Sequence, residues 1–391
     1  MPRGNIEKRG EDRYRIRIYL GTGPDGKQLY HRETFRGTRK QAEKRLTELL
    51  RELDTGGYVE PNKLTLGEYL EEWLNTKIRG RKRPTTVATY EQAIRRIKDH
   101  LGDVPIQKLT PLQVDKFYGW ALHEGGKGGR PLSPATVNQL HRVLHKALED
   151  AVGYGIVARN VCDSDVIDVP ASRTRTKRVW TRDEAQRFLD YAQNHRLYAL
   201  FVLALTTGMR RGELLGLRWS AVNLDACEIT INHTVTTADG KVVVQDHAKT
   251  EESEAVITIS PSVADILRRH KIRQAKERLA MGDRYTPTNY VFTNLDGTII
   301  RPDTLTKMFP KLCDKAGVPR INLHGTRHTY ITDLLNRQLP AQVVQRRARH
   351  SSWQTTVQMY GHVIREVEER VAQATDDLLP SPDRDENQKA L

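Results

Sequence analysis

The alternation of hydrophobic and polar residues near the start of the chain predicts a strand with two different faces. Tyr14, Ile16 and Ile18 would line one face, and the arginines between them would line the other. A glycine-rich turn and a return strand from Gln28 to Phe35 follow, and Thr38 is placed to cap a helix. The first segment is therefore predicted to be a small sheet with one helix.

Between Leu66 and about Gly155, the hydrophobic residues change to spacings of three and four, which are typical of amphipathic helices. Gly102 is placed to end the second of these helices, Pro111 opens the third, and Ser133 caps the fourth. The strand pattern of the first segment does not recur here. This part of the sequence predicts a compact bundle of four helices.

A basic stretch without hydrophobic periodicity, Asp163 to Lys177, predicts an exposed linker. Thr181 and Glu184 then form a capping box, and residues 200 to 217 predict a buried pair of helices. One antiparallel sheet and further helices as far as residue 375 should follow. The predicted strands of that sheet are Cys227 to Val235, Lys241 to Gln245 and Ala255 to Ile259.

These patterns predict a multidomain fold that is mostly α-helical with small β-sheets. An α+β domain at residues 1–60 should precede an all-α helical bundle at 64–160. A basic linker at 161–177 should lead to a mixed α/β, mainly helical domain at 178–379. A polar tail, 380–391, is predicted to be disordered.

The charge of the chain points to a polyanionic partner. Lys and Arg number 63 against 49 acidic residues, a net charge of +14, and residues 1 to 40 alone carry +6. We therefore expect nucleic acid as the partner, and a sheet of this size can enter the major groove of double-stranded DNA; a solvated cationic surface is the alternative. The sequence lacks the long hydrophobic run of a membrane span and the pattern of a secretory leader, so a cytoplasmic location is expected.

Three stretches carry candidate chemistry: Thr207-Gly-Met-Arg-Arg-Gly-Glu213, His324-Gly-Thr-Arg-His328 and the run from His350 to Tyr360. Gly208 allows close backbone approach, and Glu213 can pair with Arg210 and hold it where a phosphate would bind. His324 and Arg327 share one helical face at a spacing of three.

Each of these residues also has a purely structural interpretation. In that interpretation, Arg210 and Glu213 form only a helical salt bridge, His324 is a core histidine with its hydrogen bonds satisfied, and Tyr360 is a core or rim tyrosine. His324 and His328 have the spacing of a metal-binding pair, but the sequence lacks the acidic residue of an HExxH motif. Three widely separated cysteines do not form a CxxC motif. We therefore expect no metal, nucleotide or redox cofactor.

In combination, these motifs resemble the tyrosine recombinases of the phage integrase family over nearly the whole chain. Family members carry a Thr-Gly-x-Arg box, a Lys-Thr pair in a hairpin, a His-x-x-Arg box, and a second His about ten residues before a nucleophilic Tyr. These positions fall here on Arg210, Lys249, His324, Arg327, His350 and Tyr360.

The resemblance implies an enzyme that cuts DNA through a 3′-phosphotyrosine intermediate and rejoins it, integrating or excising a mobile element such as a temperate phage. It implies an arm-site-binding domain, a core-binding domain and a catalytic domain. A homotetramer should assemble on core and arm attachment sites, with a DNA-bending host factor and an excisionase as candidate accessory partners. The hydrophobic stripe on Ile364, Val367 and Val371 predicts a final helix packed on a neighbouring subunit or on its own domain.

Two departures from the family pattern keep alternatives open. Arg349 stands where the family usually has Gly before His350, and Ser253 is followed by Glu254 rather than by a basic residue. A DNA-binding regulator that keeps the fold without cutting DNA is therefore one alternative. A type IB topoisomerase, which would relax DNA without site preference, is the other.

Overall fold

The computed structural model describes residues 4–22, 26–54, 59–171, 178–238, 240–246, 255–337 and 339–349. The chain divides into two compact units, 1–174 and 175–391. The first unit contains two separate hydrophobic clusters, one in the sheet at its start and one in the helices that follow. Within the described residues, every helix is too short or too polar to cross a lipid bilayer.

The predicted small sheet with one helix is present. Strands β1 (Gly4–Gly10), β2 (Arg13–Thr22) and β3 (Gln28–Arg36) pair antiparallel in that order, and α1 (Arg39–Asp54) follows. Ile16 and Ile18 are completely buried against Leu49 of α1, whereas their neighbours Arg15 and Arg17 are exposed. The strand alternation therefore separates a packed face from a cationic one, as the sequence predicts.

The second part of the first unit is the predicted helical bundle. It consists of α2 (Leu66–Trp73), α3 (Pro84–Leu101), α4 (Pro111–His123) and α5 (Pro134–Gly153). A short π-helical turn, Leu74–Ile78, extends α2. Thr65, Thr110 and Ser133 accept hydrogen bonds from backbone N–H groups in the first turns of α2, α4 and α5. These side-chain caps satisfy donors that a helix start otherwise leaves unpaired.

Residues 161–171 differ from the exposed linker that the sequence predicts. Cys162 is 6% exposed and Ile167 9% exposed, and both pack in the core of the helical bundle. Burial raises the pKa of the Cys162 thiol to about 12. The apolar side chains of this segment are too few to show a periodicity, yet they are enough to anchor it. The rest of the predicted linker, 172–177, lies outside the described residues.

The second unit is mainly helical. Its helices are α6 (Arg182–Ala192), α7 (Tyr198–Thr207), α8 (Arg211–Gly216), α9 (Pro261–Met281), α10 (Pro302–Lys315), α11 (Leu323–Asn336) and α12 (Ala341–Ala348). Phe188, Phe201 and Phe309 are fully buried and pack together at its centre. The pair α7 and α8 is the buried helical pair that the sequence predicts.

The strands of this unit form two sheets, not the single sheet predicted. Strands β4 (Val222–Asn223), β5 (Glu228–Ile231) and β8 (Ala255–Thr258) make one, and β6 (His233–Ala238) and β7 (Lys241–Asp246) make a separate hairpin. The predicted strand from Cys227 to Val235 is therefore interrupted at Asn232.

Close contact between α8 and β6 explains the interruption. A Cβ atom added at Gly212 would lie 2.9 Å from the carbonyl oxygen of Val235, and one added at Gly216 would lie 2.8 Å from that of His233. Only glycine allows the helix to approach the strand backbone so closely. β6 thus pairs with β7 and packs on α8 rather than continuing the sheet of β5.

Candidate functional site

Arg210 lies at the junction between α7 and α8. The junction turns at Gly208, which has a φ of +62°, a conformation that glycine adopts without strain. Glu213, only 4% exposed, accepts hydrogen bonds from the Arg210 backbone N–H at 2.8 Å and from Arg210 Nη1 at 2.8 Å. The carboxylate therefore holds both the backbone and the guanidinium of Arg210, as the sequence predicts for this pair.

Arg327 lies on α11, which begins after Asn322, whose side chain accepts a hydrogen bond from the Gly325 N–H at 2.8 Å. The Arg327 side chain is almost completely buried. Its Nη1 donates to the Gly208 carbonyl at 2.7 Å, and its Nη2 donates to the Ala348 carbonyl. A buried guanidinium requires such acceptors, and these two carbonyls fix its plane.

The two arginines converge on the end of α12. Arg210 Nη2 donates to the carbonyl of Arg349 at 2.9 Å, and Arg327 bonds to the carbonyl of the preceding residue, Ala348. Adjacent carbonyls thus bind two guanidinium groups that are 117 positions apart in the chain. The structure brings together two of the predicted site residues, next in sequence to a third, His350.

His324 occupies the first turn of α11 and is exposed. Its imidazole packs edge-on against that of His328, with ring centroids 4.7 Å apart. The described residues contain no cluster of three or more His, Cys, Asp or Glu side chains arranged for a metal ion. His324 is thus not the buried core histidine that was the structural alternative.

Arg349 also belongs to the site, although the sequence did not indicate which residue it contacts. Its φ is +50°, in the left-handed region, and its side chain is 14% exposed. Nη2 lies 2.5 Å from Oε2 of Glu213. Burial lowers the pKa of Arg349, and Glu213 partly offsets this effect. An arginine where the family usually has glycine was the sequence signal for this site.

The remaining predicted site residues, Lys249, His350 and Tyr360, lie outside the described residues. The same holds for the predicted final helix and for the tail 380–391. The described part of the site supplies two fixed guanidinium groups and an exposed imidazole on one unit. Such a set can bind the oxygens of a phosphodiester and exchange a proton with a reacting group.

Comparison with known proteins agrees with this chemistry. The model of the phage integrase family matches residues 178–366, and that of the phage integrase N-terminal SAM-like domain matches residues 65–119. A "Tyrosine recombinase XerC-like" protein of Caldanaerobacter subterraneus subsp. tengcongensis is 30% identical over 392 residues, covering 96% of this chain and 98% of the relative.

Solved integrase structures share the fold. The Tn1549 transposon integrase in complex with transposon right end DNA has a TM-score of 0.66 at 23% identity, covering 79% of this chain and 99% of that one. A lambda integrase tetramer bound to a Holliday junction has a TM-score of 0.54 at 18% identity, covering 91% of this chain and 94% of that one. The mostly helical fold with small antiparallel sheets is the integrase fold.

Sequence, fold and relatives lead to one assignment. The chain belongs to the phage integrase family of tyrosine recombinases, enzymes that cleave and transfer DNA strands in site-specific recombination.

Proposed function

We propose that this recombinase cleaves DNA with Tyr360 as nucleophile and with Arg210, Lys249, His324, Arg327 and His350 as its catalytic partners. The observation that supports the proposal best is the convergence of Arg210 and Arg327 on the carbonyls of Arg349 and Ala348. The carbonyls that hold the two guanidinium groups belong to the two residues just before His350, and His350 is ten residues before Tyr360.

The two guanidinium groups bind the non-bridging oxygens of the scissile phosphate. Phosphodiester cleavage needs a barrier reduction on the order of 20 kcal/mol, and one preorganised donor to a developing oxyanion contributes roughly 3 kcal/mol. Because the hydrogen bonds of Arg210 and Arg327 to backbone carbonyls exist before DNA binds, little reorganisation is needed during the reaction.

The remaining groups move protons and the phosphoryl group. The Tyr360 oxygen attacks the phosphorus with assistance from His324 in removing its proton, and a 3′-phosphotyrosine forms. Lys249 protonates the leaving 5′-oxygen, and His350 donates a hydrogen bond to the phosphate. The 5′-hydroxyl of a partner strand then attacks the phosphotyrosine, which restores the phosphodiester and releases Tyr360.

The same proposal assigns a role to each part of the chain. Residues 1–60 bind arm-type sites, 64–160 bind core sites, and 178–379 form the catalytic domain. The exposed arginines of β2 support the first of these roles. The lambda integrase tetramer on a Holliday junction supports a homotetramer on double-stranded DNA. In that assembly, the final helix packs on a neighbouring subunit or on its own domain. An excisionase and a DNA-bending host factor are the accessory partners of this assembly.

A suicide substrate tests the proposal. The probe is a duplex spanning the joined ends of the mobile element that carries the gene, nicked so that cleavage releases a short strand and traps the covalent intermediate. We expect the wild-type protein to form a covalent adduct and the Tyr360→Phe variant to bind the same duplex without forming one.

Two other outcomes would contradict the proposal. Absence of an adduct with the wild-type protein on a duplex that it binds would favour a regulator that does not cut DNA. Relaxation of supercoiled plasmids that lack the element's sequences would favour a topoisomerase.

A further inference from the structure

We propose that Arg349 is a positioning residue for Arg210 and that it acts through the carboxylate of Glu213. The inference rests on the proposed role of Arg210 in binding the scissile phosphate. It concerns the residue at which the chain departs from the usual glycine of the family.

The contacts of Arg349 close a cycle around Arg210. Arg210 Nη1 donates to Glu213 Oε1 at 2.8 Å, and Arg349 Nη2 donates to Glu213 Oε2 at 2.5 Å. The cycle is completed by Arg210 Nη2, which donates to the Arg349 carbonyl at 2.9 Å. Both terminal nitrogens of Arg210 are therefore tied to residue 349, one directly and one through the shared carboxylate.

A glycine at position 349 would supply only half of this cycle. Its carbonyl would still accept from Arg210 Nη2, but the link from residue 349 to the Glu213 carboxylate would be lost. Glu213 would then be held by Arg210 alone among these contacts. The Arg349 side chain thus adds a third hydrogen bond to the carboxylate, the only one of the three that comes from a residue other than Arg210.

The local conformation of Arg349 is unfavourable on its own. A residue with a Cβ is strained at a φ of +50°, and the Nε and Nη1 groups of Arg349 are buried without a hydrogen-bond partner among the described residues. The guanidinium also lies near a second cation, Arg210, which lowers its pKa. The ion pair with Glu213 is the described contact that offsets these costs in the folded protein.

Although these contacts hold the Arg210 side chain, it remains partly exposed to solvent. Its side chain is 45% exposed, while those of Glu213 and Arg349 are 4% and 14% exposed. The buried ion pair of Glu213 and Arg349 therefore holds the Arg210 guanidinium, which is the group that binds the phosphate in the proposed function. Loss of the support should slow cleavage while leaving DNA affinity nearly unchanged, because most of the affinity comes from contacts elsewhere along the duplex.

Three substitutions of Arg349 separate positioning from folding. Arg349→Gly and Arg349→Asn both tolerate the left-handed backbone and remove the cation, whereas Arg349→Lys keeps the cation. We expect covalent adduct to form at least tenfold more slowly in the first two variants at saturating protein, with DNA affinity within twofold of wild type. Arg349→Lys should restore the rate to within about threefold. Arg320→Gln, which removes an exposed arginine paired with Asp314, is the charge-matched control and should react at the wild-type rate.

A second background tests the route through Glu213. In a Glu213→Gln protein, the further change Arg349→Gly should alter the rate by less than twofold, since the acceptor for Arg349 is already weakened. If Arg349→Gly slowed adduct formation tenfold in both the wild-type and the Glu213→Gln protein, Arg349 would not act through Glu213. Adduct formation at the wild-type rate by Arg349→Gly would overturn the inference alone. Absence of adduct with the wild-type protein would overturn the proposed function, and the inference would fall with it.

Discussion

Arg327 Nη1 lies 2.7 Å from the carbonyl oxygen of Gly208, a residue 119 positions earlier in the chain. This bond connects the His-x-x-Arg box on α11 to the turn that precedes Arg210. The turn itself is held by Tyr330, whose ring packs against Gly208 one helical turn after Arg327. The two sequence motifs are therefore parts of one rigid assembly.

Gly208→Ala should damage this assembly. The new Cβ would lie 2.6 Å from Tyr330 Cδ1, and alanine would be strained at a φ of +62°. We expect a loss of about 3 kcal/mol in the free energy of unfolding, measured by urea denaturation. Gly153→Ala is the control, because a Cβ there meets no atom within 4 Å. Equal stabilities of the two variants would contradict this account of the turn.

Arg327→Lys should nearly abolish strand cleavage although the positive charge is kept. A lysine ammonium cannot hold the carbonyls of Gly208 and Ala348 in one plane and still present a fork to a phosphate. We expect adduct formation to slow by about two to three orders of magnitude, the effect of losing one preorganised oxyanion donor. The measurement is a single-turnover reaction on the suicide duplex. A rate within threefold of wild type would show that charge alone suffices.

Acidification should destabilise the second unit through His270. Burial lowers the pKa of this histidine, whose Nε2 donates to the Val291 carbonyl at 2.8 Å, and Arg273 and Arg196 lower it further. His270 therefore binds a proton more readily in the unfolded state than in the folded state. The stability that its neutral form contributes to the folded protein is lost as the pH falls below about 6.5.

The free energy of unfolding should decline by at most about 1.4 kcal/mol per pH unit from this residue, until its folded-state pKa is reached. Urea denaturation between pH 5 and 8 measures the slope, and His270→Gln should reduce it. Some slope should remain from His195, whose pKa burial also lowers. An unchanged slope in the variant would contradict the assignment to His270.

Removing residues 1–60 should spare cleavage at core sites but abolish integration. Ile16, Ile18 and Leu49 form a hydrophobic cluster of their own, whose other members also precede residue 54, so the deletion leaves the core of the helical bundle intact. Adduct formation on core-site duplexes should stay within about threefold of wild type, and integration in cells should be lost. Full integration by the truncated protein would contradict the arm-binding role.

A milder change can be made on the cationic face. Arg15→Gln and Arg17→Gln together leave the buried residues of β2 in place, so the sheet should keep its fold. We expect weaker binding to arm-type duplexes, with a smaller dependence on salt concentration, and unchanged binding to core-type duplexes. Equal losses on both duplexes would indicate a nonspecific role.

Local patterns in the sequence were sufficient for most of the fold. Alternation at Ile16 and Ile18 identifies the buried face of β2, and Ser133 and Thr181 mark helix starts because capping depends on residues three positions apart. The break at Asn232 depends instead on the approach of α8 to β6, which is a tertiary contact. A pattern within one strand cannot reveal that contact.

In the candidate site, too, the contacts between residues close in sequence could be predicted, whereas the contacts between distant residues could not. The pairing of Arg210 with Glu213 was predictable, since the two residues lie three positions apart. The ion pair between Arg349 and Glu213 joins residues 136 positions apart, so it emerges only when α12 is packed in the fold. The sequence marked Arg349 as unusual, but its partner and its left-handed backbone required the structure.

The direct contact between the α8 glycines and the β6 backbone couples the movements of these two elements. With glycine at 212 and 216, no side chain lies between the helix that follows Arg210 and the backbone of the hairpin, so neither can shift without displacing the other. The hairpin leads, three residues after β7, to Lys249. A displacement of β6 therefore also displaces α8 and, with it, Arg210 at the start of that helix.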